Sequence, residues 1–125
     1  MHPEKKSRNH LRHLIDATGY SLKGLAEAWR HEKAFQQEVA LVALLLPVAF
    51  WLGRTAVERG MLILSLLLIP AVELLNSAIE AAVDRIGTER HPLSGQAKNM
   101  GSAAVMIALI AAALTWGLVA WERFK

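Results

Sequence analysis

Charge is absent from three stretches of the chain, residues 39–53, 60–72 and 99–121. A helix needs about 20 residues to cross the hydrocarbon core of a bilayer, and only the third stretch reaches that length unaided. The first gains it by extending back through Phe35 to Glu38, and the second by running from Ala56 through polar positions toward Ile86. Spans are therefore expected at about 34–53, 56–86 and 97–122. Ahead of them Leu11, Leu14, Ile15, Leu22, Leu25 and Trp29 recur at helical spacing, while Arg12, Asp16, Lys23, Glu27 and Arg30 take the other side. This is the pattern of an amphipathic helix lying on a membrane surface. It is expected over about 8–31, with Gly19, Tyr20 and Ser21 as a break between two pieces. The fold class implied by this pattern is an all-α integral membrane protein with three transmembrane helices and an N-terminal surface helix, in a single domain over residues 1–125.

Gly87, Pro92 and Gly95 punctuate 87–98 and are expected to end the second span before the third begins. Pro70 removes the helical donor to the Leu66 carbonyl three residues before Glu73, where a kink could aim the polar positions beyond it. In the third span Ala104, Ala108 and Ala112 predict a face for close helix packing. Trp51, Trp116 and Trp121 fall near outer ends of spans and Trp29 near the inner surface, as interface anchors do.

Hydrophobic residues make up 54% of the chain, above the ordinary soluble range. Net charge is +3, and seven Lys and Arg residues precede residue 34, against two between the first two spans. The positive-inside rule then puts the N-terminus in the cytoplasm, the 54–59 loop outside, the 85–98 loop inside and the C-terminus outside. The first apolar run begins too late for a cleavable secretory signal, so a multi-pass protein anchored by its spans, and not an exported one, is expected. No cysteine is present, which excludes disulfides, thiolate nucleophiles and thiolate metal sites and leaves oxygen and nitrogen ligands. Basic residues here form no repeated or aromatic-interleaved motif, so anionic lipid explains them and nucleic acid does not.

Glu73, Asn76, Glu80 and Asp84 share one side of a helix at about 100° per residue. Glu73 closes the uncharged stretch, and burying it without a partner or cavity would cost a few kcal/mol, so something polar must meet it. At 1.5 Å per residue it lies about 24 Å from Val57, in the inner leaflet. A shielded carboxylate there suits a general base. Glu80, nearer water, suits a hard cation that prefers oxygen ligands, and Glu32, Asn76, Asp84 and Lys98 could converge with it if the spans form a bundle. Magnesium with a lysine is a common phosphate-handling set. The plainer alternative is that these polar groups pair with a partner's helix or snorkel to the interface. His31 and His91 are each isolated in sequence and are expected to be exposed rather than metal-bound, and no ordinary P-loop occurs.

The run 72–87, which carries Glu73, Asn76, Glu80 and Asp84, closely resembles the central signature of the small prokaryotic diacylglycerol kinases. Blocks 19–25, 29–38 and 94–105 resemble the same family. The resemblance implies a homotrimer with active sites shared between chains, in which Glu73 is the base on the lipid hydroxyl, Asn76 orders the site and Lys98 contacts the phosphates. Glu32 and Glu80 would hold the Mg²⁺ of bound ATP, with Tyr20, Glu89, Arg90, His91, Gly95 and Asn99 near the nucleotide. Lipid would lie along Thr18, Ser21, Leu22, Ala34, Phe35, Trp51 and Ser102. The chain departs from the family where Asn99 replaces an aspartate and His13 an arginine, and activity is expected to survive.

The expected activity is that of an ATP-dependent kinase that phosphorylates diacylglycerol to phosphatidic acid by direct transfer. Two rivals stand beside it: a related kinase acting on undecaprenol, and a small non-catalytic membrane subunit that grips a partner through the acidic stripe.

Overall fold

The computed structural model describes residues 3–87 and 89–125, with side chains described from residue 9 onward, in two units that divide between Glu32 and Lys33. All secondary structure among the described residues is helical. The first unit is helix α1, Pro3–His31. It runs unbroken through Gly19–Ser21, where the sequence suggested two pieces. Two glycines cost about 1 kcal/mol each in a helix, too little to interrupt a 29-residue amphipathic one. Thr18 and Ser21 are accommodated in the helix by donating their hydroxyls to the Leu14 and Ala17 carbonyls at 2.8 and 2.9 Å.

The second unit holds α2 (Lys33–Leu52), α3 (Ala56–Ile86) and α4 (Pro92–Phe124), each long and apolar enough to cross a membrane. The protein is thus an all-α, multi-pass membrane protein. α3 is the central helix, packed along α4 and against α2, while α2 and α4 touch little.

The α2–α3 turn is held by a capping box: Thr55 Oγ1 accepts from the Glu58 N–H at 3.1 Å and Glu58 Oε2 accepts from the Thr55 N–H at 3.3 Å. Gly53 lets the chains close up, since a Cβ there would stand 2.6 Å from Arg59 Cγ and 2.9 Å from its backbone nitrogen. Arg59 Nε donates to the Phe50 and Gly53 carbonyls, satisfying the open end of α2. Arg54 donates to the Glu122 carbonyl and ties the end of α4 to the same turn. Ala49, Leu52 and Leu62 form a buried cluster there, with Trp116 packed against it.

Trp116 does more than anchor at an interface: its indole N–H donates to Ser65 Oγ at 3.1 Å, and the buried Ser65 hydroxyl donates to the Leu62 carbonyl at 2.7 Å. In lipid such a polar bridge supplements van der Waals packing between helices.

α4 begins at Pro92, several residues before the expected start, because His91 caps it: His91 Nδ1 accepts from the Leu93 N–H at 3.1 Å and Pro92 sits where no donor is needed. Its contact face also differs from the 104/108/112 stripe. Gly101 and Ala112 are buried and Ala108 half-buried, whereas Ala104 is exposed. Steps of four drift forward, so residue 104 lies about 80° round the helix from residue 112.

Candidate functional site

On α3 the acidic stripe forms a gradient from dry to wet. Glu73 and Asn76 are buried, at 8% and 9% exposure, Glu80 is half-buried and Asp84 is exposed. α2, with 20 residues against the 31 of α3, stops short of the Ile86 end, where, among the described residues of this unit, α4 alone accompanies α3 through Lys98 and Asp84.

The polar company that Glu73 requires includes a residue that does not stand out in the sequence. Glu38, on α2, lies close enough for the two charges to act on each other, and its Oε2 is buried without a hydrogen-bond partner. Glu38 follows Glu32 and Lys33 closely in sequence, so it reads as the polar lead of a span. The signal that could have found it is helical depth: Glu38 on α2 and Glu73 on α3 lie within about one helical turn of the same distance from the turn that joins the helices.

Asn76 links the buried and open halves of the stripe. Its Nδ2 donates to Glu80 Oε1 at 3.5 Å, a long bond, while its Oδ1 is buried without a partner. The carboxamide lies against Gly101 of α4, where any Cβ would collide with Oδ1. Gly101 therefore lets α4 approach and fixes the Asn76 amide from the far side. Gly101→Ala is expected to force apart this contact at a cost of about 1–3 kcal/mol, read as a lower unfolding transition in detergent. An unchanged transition would show that the helices can yield there.

At the open end Lys98 Nζ donates to Asp84 Oδ1 at 2.7 Å, joining α4 to α3. Both side chains are substantially exposed, at 44% and 65%, so the pair adds little to stability and its geometry matters more for what it presents to solvent. Asp84, Glu89, Arg90, His91, Gly95 and Lys98 line one cavity of about 360 Å³. It is a mixed-charge pocket beside the start of α4, able to receive an anionic group at Lys98 and Arg90.

The second unit thus gathers Glu73, Asn76 and Glu80 into one ridge and Glu89, Arg90, His91, Gly95 and Lys98 into one pocket, next to each other along α3. Asn99 and Ser102 follow on α4, both exposed. Ala34 and Phe35 open α2, with Phe35 buried. Trp51 stands at the other end of α2, its ring 5.9 Å from that of Phe124 and 5.2 Å from the Arg123 guanidinium. Thr18, Tyr20, Ser21 and Leu22 are exposed on α1, and Glu32 follows it, its N–H bonded to the Ala28 carbonyl at 2.8 Å.

A family model described as prokaryotic diacylglycerol kinase matches residues 19–120. Curated proteins named diacylglycerol kinase are similar over most of their length. One from Escherichia coli K12 is 55% identical over 111 residues, 89% of this chain and 91% of that protein. Another from Haemophilus influenzae is 54% identical over 107 residues, 86% of this chain and 91% of its own. A third from Pseudomonas aeruginosa is 51% identical over 114 residues, with 91% and 93% covered.

Proposed function

This chain belongs to the prokaryotic diacylglycerol kinase family, and from that premise we propose how its ridge and pocket divide the work of a lipid kinase. The reaction is transfer of the γ-phosphoryl group of ATP to the primary hydroxyl of diacylglycerol, giving phosphatidic acid. The observation that carries the reading is the placement of a buried carboxylate, Glu73, on the same helix face as an open pocket that presents a lysine held by Asp84. An amphiphilic alcohol can reach the first from the bilayer and a nucleotide the second from water.

Glu73 removes the hydroxyl proton, and Asn76 holds the region between base and phosphate in order. Lys98, oriented by Asp84, meets the phosphate charge, and Arg90, His91, Glu89, Gly95 and Asn99 surround the nucleotide. Asp84 supplies the carboxylate beside Lys98, which fits with activity surviving the replacement of the family's aspartate by Asn99. Tyr20 on α1 adds to the nucleotide side. Thr18, Ser21, Leu22, Ala34, Phe35, Trp51 and Ser102 form the lipid-facing set. Thr18 and Ser21 already donate within α1, so toward a substrate they act as acceptors.

Mg²⁺ fits the donor set at Glu80, a half-buried carboxylate whose described partner is a long amide bond. Magnesium is commonly held by one or two carboxylates together with substrate phosphates, and Glu32 is the second candidate. When bound, the ion neutralises charge on the phosphates being transferred. Glu80→Gln or Glu32→Gln is expected to raise the Mg²⁺ concentration needed for half-maximal turnover while leaving the lipid KM near wild type. Unchanged magnesium dependence in both variants would remove them as ligands.

The protein works as a homotrimer with composite active sites, in the inner membrane, with its N-terminus in the cytoplasm. The density of Lys and Arg before residue 34 and the many apolar side chains exposed along α4, among them Met106, Ile107, Leu109 and Ile110, support this reading. Incubating the purified chain with labelled ATP and either diacylglycerol or undecaprenol tests the function. Labelled phosphatidic acid is expected; preference for undecaprenol would move the chain to the other branch, and no labelled lipid would favour a non-catalytic subunit.

A further inference from the structure

Glu38 is a half-buried acid that the transfer itself leaves unused. It lies 14 residues before Leu52 on α2 and Glu73 lies 17 residues after Ala56 on α3, about 21 and 25 Å from the turn that joins the helices. With α2 packed antiparallel on α3, the two carboxylates reach similar depth, and their charges act on each other. Oε2 of Glu38 is buried and has no hydrogen-bond partner, and neither described ion pair includes the residue. The other charged groups of this region lie further along α3 and α4: Glu80 contacts Asn76, and Lys98 is engaged by Asp84.

An acid inside a membrane segment is a functional residue by default, and its natural partner is the charge it faces. A carboxylate oxygen cut off from water needs a hydrogen, and adjacent carboxylates can hold one proton between them. Each phosphoryl transfer delivers one proton to this place. We propose that Glu38 takes over the proton that Glu73 removes from the lipid hydroxyl, so that the two carboxylates work as a relay.

The relay rests on Glu73 being the base. In the transfer the lipid O–H bond breaks and its proton goes to Glu73. The oxygen's electron pair forms the bond to the γ-phosphorus as the bond from that phosphorus to the β–γ bridging oxygen breaks, leaving ADP. Glu38, which holds the pair's one proton beforehand, releases it to bulk water as the products depart and takes the new proton from Glu73, directly or across one water. Glu73 is a carboxylate again before the next lipid arrives.

The test is rapid-quench kinetics on the full chain in lipid nanodiscs, with labelled ATP and diacylglycerol. In Glu38→Gln the first turnover is expected to stay within about 3-fold of wild type, because the base is intact. Later turnovers are expected to slow roughly 10²-fold, the lower end of what proton handling contributes, with both KM values falling alongside and kcat/KM kept, because the slowed step follows the transfer. Glu38→Asp keeps an acceptor and should recover most of the loss. Equal slowing of first and later turnovers in either variant overturns the relay, as does wild-type steady-state turnover in Glu38→Gln. If Glu38→Gln does not fold, Glu38→Asp decides: its carboxyl stands one methylene further back, so a residual slowing of about 3-fold or more confined to later turnovers supports the relay, and later turnovers at the wild-type rate overturn it. Glu73→Gln in the same assay separates the two ideas: it should lose the first turnover, and if it does not, the base assignment fails whatever Glu38 does.

Discussion

Replacing Glu73 with glutamine is expected to lower turnover roughly 10²- to 10⁴-fold, the range in which general-base catalysis operates, while the protein folds at least as well as wild type. The amide matches the carboxylate in shape and keeps an acceptor oxygen, so the α3 packing that buries position 73 has no reason to change. What it loses is the ability to take up a proton. Because a carboxylate at 8% exposure within a membrane helix carries a desolvation penalty that an amide largely escapes, stability should hold or rise as activity falls. Thermal unfolding measured on the sample used for kinetics checks both halves. Wild-type turnover by a folded Glu73→Gln protein would remove the residue from the chemistry.

Removing the charge of Lys98 is expected to have the next largest effect. Lys98→Gln should lower turnover roughly 10²- to 10³-fold, as expected when a preorganised charge facing the transferred group is lost. Its 2.7 Å bond to Asp84 fixes where the ammonium stands, but both partners are too exposed for the pair to matter much to folding. Loss of rate with an unchanged unfolding transition is the expected outcome. Asp84→Asn should cost less, because the ammonium remains and only its aim is loosened. If Asp84→Asn costs as much as Lys98→Gln, the aspartate itself meets the nucleotide or its metal.

The acidic ridge was legible in the sequence because a charge inside a long apolar run is visible without knowing any neighbour. Glu73, Asn76 and Glu80 stand out by spacing on one helix, and the structure keeps them on one face with burial falling toward water. Glu38 was not legible in the same way. It borders polar sequence, and only the pairing of α2 with α3 reveals that it shares the depth of Glu73. Gly101 was equally silent, one small residue among many, until α4 laid it against the Asn76 carboxamide. Trp116 reads as an interface anchor, and its bond to Ser65 depends on which faces of α3 and α4 meet.

Apolar run length, the 3.6-residue period and the placement of charge settle which segments are helices and which of them can cross a bilayer, because each reflects the cost of exposing backbone or charge to lipid within one segment. Tertiary packing alone decided that Glu38 comes within electrostatic reach of Glu73, that Asp84 holds Lys98 and that Gly101 lies against Asn76. Those contacts depend on distances and rotations between helices far apart in sequence, which no single segment encodes.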